Sequence, residues 1–264
     1  MKKLIFILII LLLGGAAFYY FEYIKTEPDV VVNNKLQIHR ITNDVVISPV
    51  SAIDNQSIWY FNSEGRLFEI GTEGQDLVEF PLTSFPSGSL VQTLWPKTGF
   101  DFIMVTRSGP NLIRTHYNST SKLLTTLPSN VQWLEWLPDG KRVAYVWQSG
   151  DNKSQQLVLA NADGSGFKTV TSVFWPDLAL KSSDDGKTVL MYRTERVDNV
   201  NKIYAINLDS AVISTLVDSG NNLSAKWINK NKFIYSQPNK IFLYDITTGQ
   251  SKDLDLNSTV EKVV

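Results

Sequence analysis

Cysteine is absent from all 264 residues. Neither a disulfide nor a thiolate-bound metal therefore contributes to this fold, and a lipoprotein anchor, which is built on a cysteine, is excluded. Histidine is nearly absent too. His39 and His116 are the only two, too few for the ligand sets of most hydrolytic zinc sites, and both fall in predicted strands, where a structural or surface role is expected. Neither sign of charge dominates, with 25 basic residues against 26 acidic ones. Lys2, Lys3, Lys25 and Glu22 lie in the first 25 positions, which leaves 22 basic and 25 acidic residues in the remainder. A chain without a basic excess lacks the electrostatic footprint of a nucleic-acid binder, so no such partner is expected. Helical hydrophobic periodicity is missing after residue 25.

One long apolar run is present. Lys2 and Lys3 precede an uncharged stretch from Leu4 to Phe21, which as a helix spans about 27 Å, nearly a hydrocarbon core. Gly15-Ala16-Ala17 offers small residues where a signal peptidase acts, and a cleaved signal peptide is the alternative reading. The run continues past them into Phe18, Tyr19, Tyr20, Phe21 and Tyr23, aromatic residues that favour a membrane interface. Residues 1–25 are accordingly read as a retained transmembrane anchor in the cytoplasmic membrane. The two lysines keep the N-terminus inside, and the remainder lies outside, in the periplasm or beyond. Residues 26–34 form a short polar tether, and 35–264 a single domain.

That domain repeats. Its best-defined unit runs from Trp133 to Thr171. An apolar run ending in Trp136 is followed by the turn Pro138-Asp139-Gly140-Lys141, a strand from Arg142, a strand over Gln156–Asn161, an Asp163-Gly164 turn and a strand over Phe167–Thr171. Asp-Gly between alternating apolar residues marks a tight turn, because glycine supplies the positive φ such turns need. The second strand recurs at Ser57–Phe61, Phe100–Thr106, Arg142–Gln148, Thr188–Arg193 and Lys232–Ser236. With Ile58, Ile103, Val143, Val189 and Phe233 as equivalents, the successive spacings are 45, 40, 46 and 44 residues. Third strands follow over Arg66–Ile70, Asn111–Tyr117, Gln156–Asn161, Lys202–Leu208 and Lys240–Ile246. Four strands per period of 40 to 45 residues is the demand of a propeller blade.

The tryptophan, the Pro-Asp-Gly-Lys turn and the closing Asp-Gly-x-x-x-x-x-Thr segment of this unit resemble the TolB-like, or WD40-like, propeller repeat. The resemblance implies an all-β, bacterial propeller that mainly holds partners. Five units are nearly complete. Lys35–Thr42 resembles an outer strand and Ser258–Val264 an inner one, fragments of a sixth blade contributed by the two ends of the sequence.

Few residues invite chemistry. Asn161 to Ser165 and Ser183 to Gly186 carry oxygen donors beside glycine but lack the closing glutamate of a calcium loop, so hairpin turns are expected and no metal. Gly164-Ser165-Gly166 is not a nucleophile elbow. No catalytic residue and no cofactor is expected. Trp95, Trp136, Trp175 and Trp227 lie at the ends of innermost strands or at the entries to them. Packing between blades is expected of them, with a stacking rim around the central channel as the other reading. Trp175 is the exception, because Val173-Phe174-Trp175-Pro176 reads as an exposed connection. Arg193 and Arg196 begin the longest polar connection between a second and a third strand. Such connections share one face with those between blades, so Phe174, Trp175, Arg193 and Arg196 are the candidate contacts for a protein partner in the cell envelope. Loops on a stiff scaffold lose little entropy on binding. The rival is an extracytoplasmic carbohydrate-binding protein or glycan-active enzyme, with a channel site built from carboxylates such as Glu135 and Asp177.

Overall fold

Each sequence unit resolves into four antiparallel strands, and it does so five times over. The computed structural model describes residues 40–254, apart from 53–54, 83–84, 151–153, 174–177, 194–200, 219, 221–222 and 239. Blade 1 comprises β1 (Ile47–Ser51), β2 (Ser57–Phe61), β3 (Leu67–Gly71) and β4 (Val78–Phe80). Blade 2 has β5 (Ser89–Leu94), β6 (Phe102–Ser108), β7 (Asn111–Tyr117) and β8 (Leu124–Thr126). In blade 3 are β9 (Val131–Trp136), β10 (Arg142–Gln148), β11 (Gln155–Asn161) and β12 (Lys168–Val173). Blade 4 contains β13 (Leu178–Ser182), β14 (Thr188–Arg193), β15 (Ile203–Asn207) and β16 (Ile213–Val217). Blade 5 is made of β17 (Ser224–Asn229), β18 (Lys232–Gln237), β19 (Lys240–Asp245) and β20 (Gln250–Asp253). Every sheet is a meander in sequence order, and every pair in it is antiparallel.

First strands of successive blades approach one another, β1 with β5, β9 with β13 and β13 with β17. They therefore line the axis, and the fourth strands lie outermost. Burial follows the same gradient: all four residues of β20 are exposed, whereas Phe102 to Thr106 of β6 are buried without a break. A second strand is sandwiched on both faces, which is why FIMV, VAYV and VLMY read as continuous apolar runs. Their side chains divide by alternation. In β6, Phe102 and Met104 pack with Phe61 and Leu67 of blade 1, while Ile103 joins Val143 and Tyr145 of blade 3. Ala144 and Val146 face the other way, toward Val189 and Met191 of blade 4. Leu190 and Tyr192 complete the series against Phe233 and Tyr235 of blade 5. Four apolar cores, one between each successive pair of blades, hold the domain together, each large side chain contributing about 1.5–3 kcal/mol.

Indole rings key these cores. Trp95 donates its Nε1–H to the carbonyl of Ser48 in the preceding blade at 2.8 Å. Trp136 does the same to Leu94 at 2.9 Å, and Trp227 to Lys181 at 2.8 Å. Blade 4 has Ser182 at this place, whose hydroxyl donates to the carbonyl of Trp136 at 2.7 Å. Three of the four tryptophans considered from the sequence thus pack between blades; Trp175 lies outside the described residues.

Ser57–Phe61, Asn111–Tyr117, Arg142–Gln148 and Thr188–Arg193 are found as expected, and the other expected strands of the five blades have ends displaced by at most two residues. The consequential shift is in blade 2, where Gly99 takes φ +87° and β6 begins at Phe102 rather than Phe100. Phe100 therefore belongs to the turn. The anchor (1–25), the tether (26–34) and the C-terminal fragment of the sixth blade lie outside the described residues. Of the N-terminal fragment, Arg40 to Thr42 are described and form no strand.

Both glycines of the Asp-Gly turns in blade 3 have positive φ, +64° at Gly140 and +86° at Gly164. Gly140 carries a second constraint, because a Cβ there would lie 2.2 Å from the carbonyl oxygen of Thr98 in blade 2. Gly249 has a similar φ, +69°, with nothing within 4 Å of its Cβ position. Gly249→Ala is expected to cost about 1–2 kcal/mol for the left-handed backbone alone. Gly140→Ala is expected to lose a further ~1–3 kcal/mol from the clash. Urea denaturation of the two variants checks this; equal losses would show that the approach of blade 2 does not constrain the turn.

Candidate functional site

The first and third strands of a blade run in the same direction, so the turns that leave them emerge on one face. On that face the first turns of blades 2, 3 and 4 lie against one another. Thr98 donates its hydroxyl to the carbonyl of Pro138 at 3.1 Å, and a Cβ at Gly186 would touch the Pro138 ring at 3.2 Å. Lys97 reaches Asp184 at 2.5 Å, joining blades 2 and 4. Both partners are about half exposed, so this ion pair contributes register more than stability.

Two hollows open on this face and share Gly99 and Phe100 in their walls. The first, about 460 Å³, lies between the β1–β2 and β5–β6 turns of blades 1 and 2 and is lined by Val50, Ala52, Trp59, Trp95, Pro96 and Phe100 among others. Trp59 is held between two rings, Phe80 at 4.8 Å and Phe100 at 5.2 Å, both nearly parallel to it. Trp95 meets it edge-on at 6.4 Å. The Nε1–H of Trp59 is buried without a hydrogen-bond partner among the described residues. Phe100, 50% exposed, caps the stack at the surface. A half-exposed phenyl ring on a glycine turn, above a buried indole, is a contact surface for an apolar group.

The second hollow, about 540 Å³, lies between blades 2 and 3 and is polar. Asp101 accepts from the Ser119 backbone at 2.9 Å, the Ser119 hydroxyl at 2.7 Å and His116 Nε2 at 3.2 Å. His116 is 3% exposed and its Nδ1 is buried with no partner among the described residues. Burial pulls the imidazole below its usual range, outweighing the opposing pull of Asp101 and, more weakly, Asp163. A carboxylate only accepts, so the ring donates to Asp101 from Nε2. Asp163 accepts from the hydroxyl and backbone of Ser165, which hold its carboxyl below the usual range. Asp139 accepts from Lys141, Arg142 and the Arg142 guanidinium. Ser165 is thus a turn cap.

Of the contacts named from the sequence, Phe174, Trp175 and Arg196 lie outside the described residues. Arg193 ends β14, directly opposite Leu178 in the register, and its Nε is buried without a partner among the described residues. It sits toward the face opposite the two hollows. The turns at Asp163 and Asp185 are hairpin turns, as expected; Asp185 accepts from Ser183 and Lys187. Sequence reasoning missed the pairing of Trp59 with Phe100. An aromatic residue directly after Lys-Thr-Gly was the available signal.

No family model and no curated protein matches the sequence. Solved structures do. The chain is similar to TolB from Acinetobacter baumannii (TM-score 0.54, 15% identity, 80% of this chain and 54% of that one). It is also similar to a TolB-like protein from Agrobacterium tumefaciens (TM-score 0.57, 16% identity, 80% and 81%). A third similarity is to prolyl endopeptidases (TM-score 0.59, 14% identity, 81% and 36%). The chain thus spans about half the length of the first and about a third of the last. At these identities the likeness is one of fold, a five-bladed propeller with TolB-like neighbours, and a propeller hosts many unrelated functions.

Glu135, one of the two carboxylates of the channel reading, is on β9 and its carboxylate is reached from β13; the other, Asp177, is outside the described residues. Lys181 Nζ and the Ser182 backbone each reach Glu135 at 3.4 Å. Burial nonetheless outweighs them and raises its carboxyl above the usual range. An acid whose folded pKa is raised loses stability as pH climbs from its unfolded value, near 4.5, through the folded one. Glu135→Gln removes that loss. Its stability relative to the parent is expected to rise as pH increases from about 4.5, and urea titrations at a series of pH values would read it. A difference independent of pH would mean that Lys181 fully compensates the burial.

Proposed function

We propose that this propeller is a non-catalytic protein-binding module, tethered by residues 1–25 in the cytoplasmic membrane and displayed on its outer side. It seats a protein of the cell envelope on the turn face of blades 1 to 3. The observation that carries this reading is the aromatic hollow: Phe100 stands half exposed over Trp59 on a turn braced by Thr98, Gly140 and Lys97. An apolar side chain of a partner entering there buries against three rings, and the braced turn pays little ordering entropy. The length of the apolar run and the lysines before it support the tether. Against the channel reading stands Glu135, whose carboxylate is already engaged by Lys181 and Ser182.

A photo-crosslinking amino acid placed at position 100, at position 193 and at the exposed outer-strand position 250 tests the interface in cells that produce the intact protein. Position 100 is expected to give one defined protein adduct in the membrane fraction, and position 250 none. Adducts from position 193 alone would move the interface to the opposite face. Equal adducts from all three would remove the case for a specific site. Release of the protein from membranes by alkaline wash would remove the tether.

A further inference from the structure

The outermost strand of a blade has a neighbour on one side only, so its free edge is open to pairing with another chain. Natural sheets blunt such edges with short strands, charges or bulges. Four of the five outer strands described are blunted in these ways. β4 and β8 have three residues each. β20 carries Lys252 and Asp253. β12 opens with Lys168, and a bulge breaks its register in mid-strand, between the partners of Leu157 and Val158. The exception is β16 in blade 4. Ser210 to Val217 holds no charged residue, and the bulge of β16 lies at its far end, beyond Thr215. Val212 is 56% and Ile213 40% exposed, and Ser214 and Thr215 are exposed beside them. The free groups of this edge follow from the ladder. Asn207 donates its N–H to the carbonyl of Val212 at 3.0 Å. By the alternation of an antiparallel pair, Ser214 then bonds to Ala205 opposite it, and Ile213 and Thr215 turn their N–H and C=O groups away from β15.

We infer that a second copy of this chain pairs with this edge, β16 antiparallel to β16 about a twofold axis at Ser214, so that the two fourth blades join into one sheet. Under that axis Ile213 of each copy exchanges both hydrogen bonds with Thr215 of the other, and Val212 lies opposite Leu216. These are β-branched and apolar pairs, which stabilise a ladder, and within the strand no charge meets its own kind. The carboxylates that flank the strand are Asp209 and Asp218. The twofold brings Asp209 of one copy beside Asp218 of the other, and Lys202, 2.5 Å from Asp218, supplies the opposing charge between them. The segment that matches this edge is thus uncharged over its middle, β-branched and bounded by a lysine–carboxylate pair, and β16 itself meets each of these terms. The contact lies on the outer edge of blade 4, so it leaves the turns of blades 1 to 3 uncovered in both copies and does not depend on the binding reading above.

Because the chain has no cysteine, one introduced thiol reports one contact. At the axis Ser214 faces its own copy in a non-hydrogen-bonded pair, which sets the Cα atoms about 4.5 Å apart, within the range a disulfide spans. Ser214→Cys in the full-length protein, in membranes and in detergent micelles, is expected to give a disulfide-linked dimer under mild oxidation. Thr125→Cys on β8 and Ser251→Cys on β20, both on exposed outer strands, are expected to give none. Thr215→Pro removes an outward N–H without breaking a bond to β15, and Ser214→Lys sets like charges opposite each other at the axis. Each is expected to weaken the dimer about tenfold or more in sedimentation equilibrium of the solubilised protein, while the melting temperature holds. The thiol trap stands without either variant, should one of them unfold the blade. A protein that is monomeric at every concentration would overturn the inference. So would a dimer that Ser214→Cys fails to trap, a dimer that both variants leave intact, equal trapping by all three thiols, or adducts of Ser214→Cys with other proteins in place of the dimer.

Discussion

The bond from an indole N–H to a carbonyl of the preceding blade is the constraint on which the rest depends. A propeller blade is a twisted sheet that buries both faces, and the gaps between blades widen from the axis outward. Apolar packing alone is non-directional and allows neighbouring sheets to slide. Trp95, Trp136 and Trp227 remove that freedom, because each ring fills a gap and its N–H has one acceptor 2.8–2.9 Å away. Ser48 shows the strength of the demand. It adopts φ +49°, a conformation costing about 1–2 kcal/mol for a residue with a Cβ, and in it accepts from the Trp95 indole through its carbonyl and from the Thr93 backbone through its hydroxyl.

Fixing the blades fixes the turns. The middles of the second strands are apolar, so most of the polar groups on the turn face come from the connections, joined by strand residues such as Trp59 and His116. On the face of the first and third turns these connections brace one another through Thr98, Pro138, Gly140 and the Lys97–Asp184 pair. The two hollows are the spaces this bracing leaves. One is aromatic because Trp59 and Trp95 reach the surface beneath Phe100. The other is acidic because its turns are capped by aspartates, each holding backbone N–H groups. Turn chemistry that a sequence needs for folding thus also charges the surface.

How much of this was legible before the structure follows from the range of each signal. The Pro138-to-Lys141 turn, the Asp163-Gly164 turn and the runs FIMV, VAYV and VLMY are local patterns, and with the spacing of the repeat they located the second and third strands of all five blades to within two residues. The wedging role of Trp95, Trp136 and Trp227 also followed, from ring size and position. Ser182 in place of a tryptophan did not, since its partner is 46 residues away and a lone serine carries no packing signal. Phe100 was read into a strand because apolar residues follow it; the left-handed Gly99 that ends the turn is a property of conformation. The stacking of Phe100 on Trp59 joins residues 41 positions apart, and no pattern within either segment announces it. The contacts Phe174, Trp175 and Arg196 fall outside the described residues.

Hydrogen exchange at the tryptophan indoles tests the central constraint most directly. With ¹⁵N-labelled tryptophan, and Trp95→Phe, Trp136→Phe and Trp227→Phe variants to assign the signals, the three bonded indole N–H groups should exchange only at the rate of global unfolding. Exchange of these three within minutes, from a protein whose backbone core remains protected, would contradict the account: the blades would then move against one another, and the hollows between their turns would have no fixed shape.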